Sequence, residues 1–143
     1  MTSIHRNALF PNAAPTVYAL VNDIEAYPQF MDGCVNSRIL RRDTHVIEAR
    51  LDLARGAIKG SFTTRNHLVE FSSITMELLD GPFEDFSGRW TFQELGDTAC
   101  KVSLDMDFTV SNRILGVAAA RLFDSVAGNL VDAVSRRARL VLE

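Results

Sequence analysis

The fold is decided by CKVSLDMDFTV at residues 100–110 and by SNRILGVAAARLFDSVAGNLVDAVSRRARL at residues 111–140. The first segment alternates apolar and polar side chains, which is the two-residue period of a half-buried β-strand. The second returns an apolar residue at every fourth position, which is typical of an amphipathic α-helix. The sequence therefore predicts a last strand followed by one long C-terminal helix, with Ser111 or Asn112 as its N-cap. The apolar stripe of this helix consists of Ile114, Ala118, Leu122, Val126, Leu130 and Val134.

Earlier segments repeat the strand pattern. A first strand is predicted at Ser3–Phe10 and a second around Val35–Leu40. The apolar positions of the later strands define inward faces at Ile47–Leu53, Ile58–Leu68, Ile74–Leu78, Phe86–Phe92 and Cys100–Val110. Consecutive strands joined by short turns indicate an antiparallel sheet of about seven strands.

Two short helices are predicted after the first strand, at Ala13–Val21 and at Ile24–Phe30, with Asp23 available to cap the second. Helices that are segregated from a run of strands define the α+β class. One helix cannot cover seven flat strands. We therefore expect a curved sheet wrapped around the C-terminal helix, with Gly60 and Gly88 as bend points.

Length and charge narrow the class of protein. The chain has 143 residues, 47% of them hydrophobic, and a net charge of −3. We expect a single domain over 1–143, and the acidic balance weighs against a dedicated DNA or RNA binder. Cys34 and Cys100 are too few for a disulfide framework and lack zinc-site spacing. No apolar run approaches the ~20 residues of a membrane span. We expect a cytoplasmic protein, with peripheral contact at the inner membrane as a further option.

The predicted inward faces have almost no side chains that could transfer a proton or bind a metal. They carry no Asp, Glu, His, Lys or Arg, and Thr64 and Asn66 are their main polar members. General acid–base catalysis needs a titratable group, so we expect no catalytic residue. His5, His45 and His67 fall on different segments, so we expect no metal site.

An apolar chamber of this kind suits a hydrophobic ligand. The residues predicted to line it are Tyr27, Phe30, Leu51, Phe62, Thr64, Asn66, Met76, Leu78, Trp90, Phe92, Leu104, Met106, Leu122 and Val126. The alternative interpretation is that these side chains meet and simply fill the core.

Three features near the surface each have two interpretations. Tyr27–Met31 is expected in a mobile loop that gates the chamber, or else as an anchor of the short helix. In the turn Gly81-Pro82-Phe83, the phenylalanine is expected to pack beneath the cavity mouth, with capping of the mouth as the alternative. Arg136, Arg137 and Arg139 are expected to be solvated near the helix C-terminus, where cations favour the dipole, with an RNA or anionic-lipid patch as the alternative.

Six strings along the chain resemble one superfamily. They are LVNDIEAYPQF (20–30), GC (33–34), SRIL (37–40), FTTRN (62–66), DGPF (80–83) and GRWTF (88–92). Their order is similar to that of the START-like polyketide cyclase and lipid-transport superfamily, in the branch of the coenzyme Q-binding proteins and ribosome-association toxins. The resemblance implies a helix-grip fold. Members often have a proline near Gly33, where this chain has Asp32.

The resemblance implies three functions. The first hypothesis is non-enzymatic carriage of an isoprenoid quinone, ubiquinone, in an internal cavity, in support of respiratory electron transport and without a cofactor. This carrier would contact the membrane surface transiently and would not bind DNA. The alternative is a toxin-type regulator that binds the large ribosomal subunit. A polyketide cyclase or dehydratase ranks last, because the inward faces lack an acid–base pair.

Overall fold

An antiparallel sheet of seven strands forms the framework, in a computed structural model that describes residues 2–110 and 114–142. The strands are β1 (Thr2–Phe10), β2 (Cys34–Arg42), β3 (Val46–Arg55), β4 (Ile58–Val69), β5 (Ser73–Asp80), β6 (Phe83–Glu94) and β7 (Cys100–Val110). Their order across the sheet is β1-β7-β6-β5-β4-β3-β2, so each strand from β2 to β7 pairs with its neighbour in sequence and β1 closes on β7. The α+β helix-grip prediction is confirmed.

Two short helices follow β1, as the sequence predicts. The first is α1 (Ala14–Asn22), with a proline in its first turn. The second, at Ile24–Gln29, is a 3₁₀ helix that contains Pro28, and Asp23 makes no side-chain capping bond to it. Proline has no N–H to donate, and short 3₁₀ turns tolerate this loss better than an α-helix does.

The prediction of one long C-terminal helix is wrong. The segment forms two helices, α2 (Ile114–Gly128) and α3 (Leu130–Val141), which are separated at Asn129. The side-chain Nδ2 of Asn129 donates to the carbonyl oxygen of Ser125 at 2.9 Å, and its backbone N–H turns to Val126 O at 3.2 Å. The side chain of Asn129 therefore bonds the Ser125 carbonyl, which the backbone N–H of residue 129 would bond in an unbroken helix. The predicted N-cap, Ser111 or Asn112, lies outside the described residues.

From Leu122 onward, the C-terminal helices bury their apolar stripe against the concave face of the sheet. Leu122, Val126, Leu130 and Val134 are buried, as the four-residue repeat predicts. At the centre, the ring of Phe123 on α2 meets four other phenylalanines at centroid distances of 4.8 to 5.9 Å. These are Phe62, Phe83, Phe86 and Phe108. Within the described residues, no helix is both long enough and apolar enough to cross a bilayer.

Gly60 and Gly88, the predicted bend points of the sheet, coincide with no register shift between paired strands. The register shifts lie elsewhere, two of them in the β2–β3 pairing and one in each of the β4–β5 and β6–β7 pairings. A β-carbon at Gly60 would stand 2.8 Å from the β-carbon of Ala119 on α2, and one at Gly88 would stand 2.7 Å from Cε of Met76. These glycines provide room, Gly60 for helix α2 and Gly88 for the side chain of Met76.

We expect Gly60→Ala to lower the free energy of unfolding by about 1–3 kcal/mol, because its methyl group would overlap a helix atom that cannot rotate away. Gly88→Ala is the matched control. Its clash is with the end of a flexible methionine, so it should cost less than half as much. Chemical denaturation of the two variants measures both values, and equal losses would show that α2 does not rest on Gly60.

Candidate functional site

A cavity of about 50 Å³ lies between the concave face of the sheet and the helices. Its walls come from α1, the 3₁₀ helix, strands β3 to β7 and both C-terminal helices. The lining residues are Val21, Asn22, Ile24, Tyr27, Met31, Ala49, Leu51, Phe62, Thr64, Asn66, Ile74, Met76, Phe86, Trp90, Met106, Phe123, Val126, Ala127 and Leu130. Since a water molecule needs roughly 10–15 Å³, the cavity has room for a few waters in this conformation.

Nine of the predicted lining residues border this cavity. They are Tyr27, Leu51, Phe62, Thr64, Asn66, Met76, Trp90, Met106 and Val126. The strand period placed most of them on the inward face, and the curvature of the sheet brings them together.

Five predicted lining residues lie elsewhere, namely Phe30, Leu78, Phe92, Leu104 and Leu122. Phe92 and Leu104 are inward but fully packed; Phe92 lies edge-on to Tyr18 of α1 at 5.3 Å. Leu122 is buried beside the turn at Gly33, and Leu78 is half-buried beside Gly81. Phe30 is half-buried beneath the guanidinium of Arg137. The alternation of apolar and polar residues identifies which side chains of a strand point inward. It does not identify which of these side chains are covered by another helix or strand.

Three polar residues stand in the otherwise apolar lining. Thr64 Oγ1 donates to Asn66 Oδ1 at 2.9 Å. The third residue, Asn22 at the end of α1, is absent from the sequence prediction, and its buried Oδ1 has no hydrogen-bond partner in the described part of the chain. This amide oxygen is therefore an available hydrogen-bond acceptor in the cavity lining.

Tyr27 is the one titratable side chain among the described lining residues. Its hydroxyl donates to the Val21 carbonyl oxygen, and burial raises the pKa of the phenol far above its usual range. The phenol therefore stays protonated and committed to α1, which makes it an anchor and a poor proton donor or acceptor. The segment expected as a mobile gate is a 3₁₀ helix with Tyr27 buried, followed by buried Met31.

Nucleophilic and metal chemistry find little support in the described residues. Cys34 and Cys100 are both buried. Burial raises the pKa of the Cys34 thiol to about 11 and also raises the pKa of the Cys100 thiol. Within residues 2–110 and 114–142, no three His, Cys, Asp or Glu side chains gather as a metal site would require.

Arg137 is half-buried and makes specific contacts, whereas the sequence predicts a solvated side chain. Its Nη2 donates to Gln29 Oε1 at 3.1 Å, and its guanidinium carbon lies 5.5 Å from the centroid of the Phe30 ring. The side chain therefore joins α3 to the 3₁₀ helix. Arg136 and Arg139 are exposed, as predicted, and Arg139 donates to Ser135 Oγ at 3.4 Å.

Phe83 packs into the core as predicted. It is buried, and its ring stands 5.1 Å from Phe108 and 4.9 Å from Phe123. The turn before Phe83 therefore leads directly into an aromatic side chain that packs into the core at this end of the sheet.

Comparison with known proteins identifies relatives along nearly the whole chain. Residues 11–135 match the family described as polyketide cyclase / dehydrase and lipid transport. The ribosome association toxin RatA of Escherichia coli K12 is 41% identical over 141 residues, which cover 99% of this chain and 89% of the toxin. The mitochondrial coenzyme Q-binding protein COQ10 of Dictyostelium discoideum is 32% identical over 81 residues, covering 54% of this chain and 40% of that protein.

A solved structure shows the same fold. The Zhui aromatase/cyclase from Streptomyces sp. R1128 superposes with a TM-score of 0.85 at 15% identity, covering 99% of this chain and 96% of its own. At that identity the likeness concerns the fold alone.

We expect neither thiol of the native protein to react with Ellman's reagent at pH 8. A thiol whose folded pKa is raised remains protonated below that pKa, and both sulfurs are buried. Absorbance at 412 nm should report no thiol until denaturant is added and two thiols afterwards. Rapid reaction of one thiol in the native protein would contradict the burial of Cys34 or Cys100, and Cys34→Ser would identify which.

Proposed function

The chain belongs to the polyketide cyclase / dehydrase and lipid transport family, and we propose that within it the protein is a non-enzymatic regulator that associates with the ribosome. The observation that carries the proposal is the 41% identity with a ribosome association toxin across 99% of this chain. The relative that is named for quinone binding matches only 54% of this chain. These findings favour the ribosome over the quinone, which is the reverse of the order that the sequence alone suggested.

The cavity is consistent with a protein that is not an enzyme. Its one titratable described residue, Tyr27, is tied to a backbone carbonyl and keeps its proton. A cyclase or dehydratase needs a group that gives up or accepts a proton at the substrate. The aromatase/cyclase neighbour therefore informs the fold, since one fold hosts many functions.

We expect the purified protein to sediment with large ribosomal subunits through a sucrose gradient at about 0.1 M salt, and to lower the yield of joined ribosomes. The attraction of a protein to RNA phosphates weakens as salt rises, so binding should fall steeply above this concentration. Gly88→Leu is the matched control, because it fills the interior and leaves the surface unchanged. Protein that remains at the top of the gradient at low salt would overturn the proposal.

A second candidate function, carriage of an apolar molecule such as a quinone, has one structural observation in its favour. Three methionines, Met31, Met76 and Met106, line the cavity. Methionine side chains are flexible and adapt to irregular shapes, so the cavity can widen without moving the strands. Each buried CH₂ of an isoprenoid tail would then contribute ~0.8 kcal/mol.

For this second candidate, we expect organic extraction of the purified protein followed by mass spectrometry to recover a quinone or other lipid. Gly88→Leu should reduce the recovered amount, because its side chain would occupy the space of Met76 and Met106. A folded variant that retains lipid as the parent protein does would place the lipid outside the cavity. Circular dichroism and the thermal midpoint establish that the variant folds.

A further inference from the structure

A second, polar pocket of about 110 Å³ lies beside the apolar cavity, at the break between α2 and α3. Its polar residues are Asp32, Arg55, Asn129 and Arg136. They come from the connection before β2, the end of β3, the helix break and α3. Met31 and Val126 line both this pocket and the apolar cavity, and so form the wall between them.

Arg55 is held in place at the rim of this pocket. Its Nη1 donates to Ser125 Oγ at 2.9 Å, and its Nη2 lies 3.6 Å from Asp32 Oδ2. The arginine side chain is 47% exposed and that of Asp32 is 94% exposed, so the ion pair between them is a weak surface contact. A guanidinium that is already oriented loses less conformational entropy when it binds an anion.

Arg136 faces the same pocket from α3. It is exposed, and in the described part of the chain it forms no salt bridge. The adjacent Arg137 is fixed by Gln29 and Phe30, as described above. Arg55 and Arg136 therefore line the pocket together with the carboxylate of Asp32. Arg137, the next residue on α3, contacts the end of the 3₁₀ helix through Gln29.

We propose that the pocket formed by Arg55 and Arg136 binds a backbone phosphate of ribosomal RNA. This inference rests on the proposed ribosome association and names the surface responsible. The whole chain carries a net charge of −3, so a polyanion can approach closely only where cations are locally in excess. Two guanidinium groups from separate elements line this one pocket, and arginine binds phosphate through paired N–H donors.

The outer face of the sheet offers a contrast. There Arg65 is paired with Glu48 at 2.8 Å and with Glu77 at 3.4 Å. Arg50 is likewise 2.9 Å from Asp52. A hydrogen bond from Arg50 lowers the pKa of Asp52, and a hydrogen bond from His67, helped by the charge of Arg65, lowers the pKa of Glu77. Both carboxylates therefore remain ionised beside these arginines. RNA would have to displace such partners to bind on that face.

The experiment measures binding of fluorescently labelled protein to purified large ribosomal subunits between 50 and 200 mM salt. We expect Arg55→Gln/Arg136→Gln to weaken binding at least about tenfold at low salt and to reduce the slope of log K against log salt by about 1, because the pocket neutralises one phosphate. The matched control is Arg89→Gln/Lys101→Gln, which removes the same charge from the outer face of the sheet. It should retain both the affinity and the slope.

Asp32→Asn tests the pocket in the opposite direction. Removing the one carboxylate beside Arg55 should tighten binding, with little effect on stability because that side chain is almost fully exposed. This variant keeps the test decisive even if the double arginine variant were to fold poorly, which circular dichroism would reveal.

The outcomes separate the two proposals. If the parent protein does not bind the subunits, the proposed function fails. If it binds, but the double variant and Asp32→Asn behave as the control does, ribosome association stands and the pocket is overturned as the RNA site. Binding to vesicles of phosphatidylglycerol through the same arginines, without binding to subunits, would make the partner a membrane surface and would also overturn the proposal.

Discussion

The structure depends on the contact between Phe123 and four phenylalanine rings of the sheet. Those rings come from β4, β6 and β7, so a single helix side chain meets strands from across the curved sheet. Edge-to-face aromatic pairs have preferred geometries and bury large areas, and they therefore determine where α2 can lie. The rest of the interior follows from that position: Gly60 admits the helix backbone, and the cavity remains on the side where α1 and the 3₁₀ helix close the sheet.

Most of this architecture could be predicted from the spacing of apolar residues along the sequence. Alternation in β3 and β7 marks their inward faces, because each strand has one buried and one solvated side. The break at Asn129 could not, because the apolar repeat runs through it: Val126, Leu130 and Val134 are all buried. The break comes from a side chain competing for a backbone carbonyl, which leaves no trace in hydrophobicity.

The candidate site was predicted in part, for a related reason. Trp90 and Phe92 share one face of one strand, yet only Trp90 borders the cavity, because Phe92 is covered by Tyr18 of α1. Contacts between elements distant in sequence decide this, and no local pattern reports them. The same holds for Asn22, whose place in the lining depends on how α1 packs, and for Arg137, which is half-buried through its contacts with the 3₁₀ helix and Phe30.

The wall shared by Met31 and Val126 has a consequence for regulation. A molecule large enough to widen the apolar cavity would displace these side chains, and with them the pocket that holds Arg55 and Arg136. The two sites would then be coupled by a free energy that acts equally in both directions. Whatever factor a lipid imposed on the affinity for RNA, RNA would impose on the affinity for the lipid. In such a protein, a membrane-derived molecule bound in the interior would change the affinity of the surface pocket for RNA.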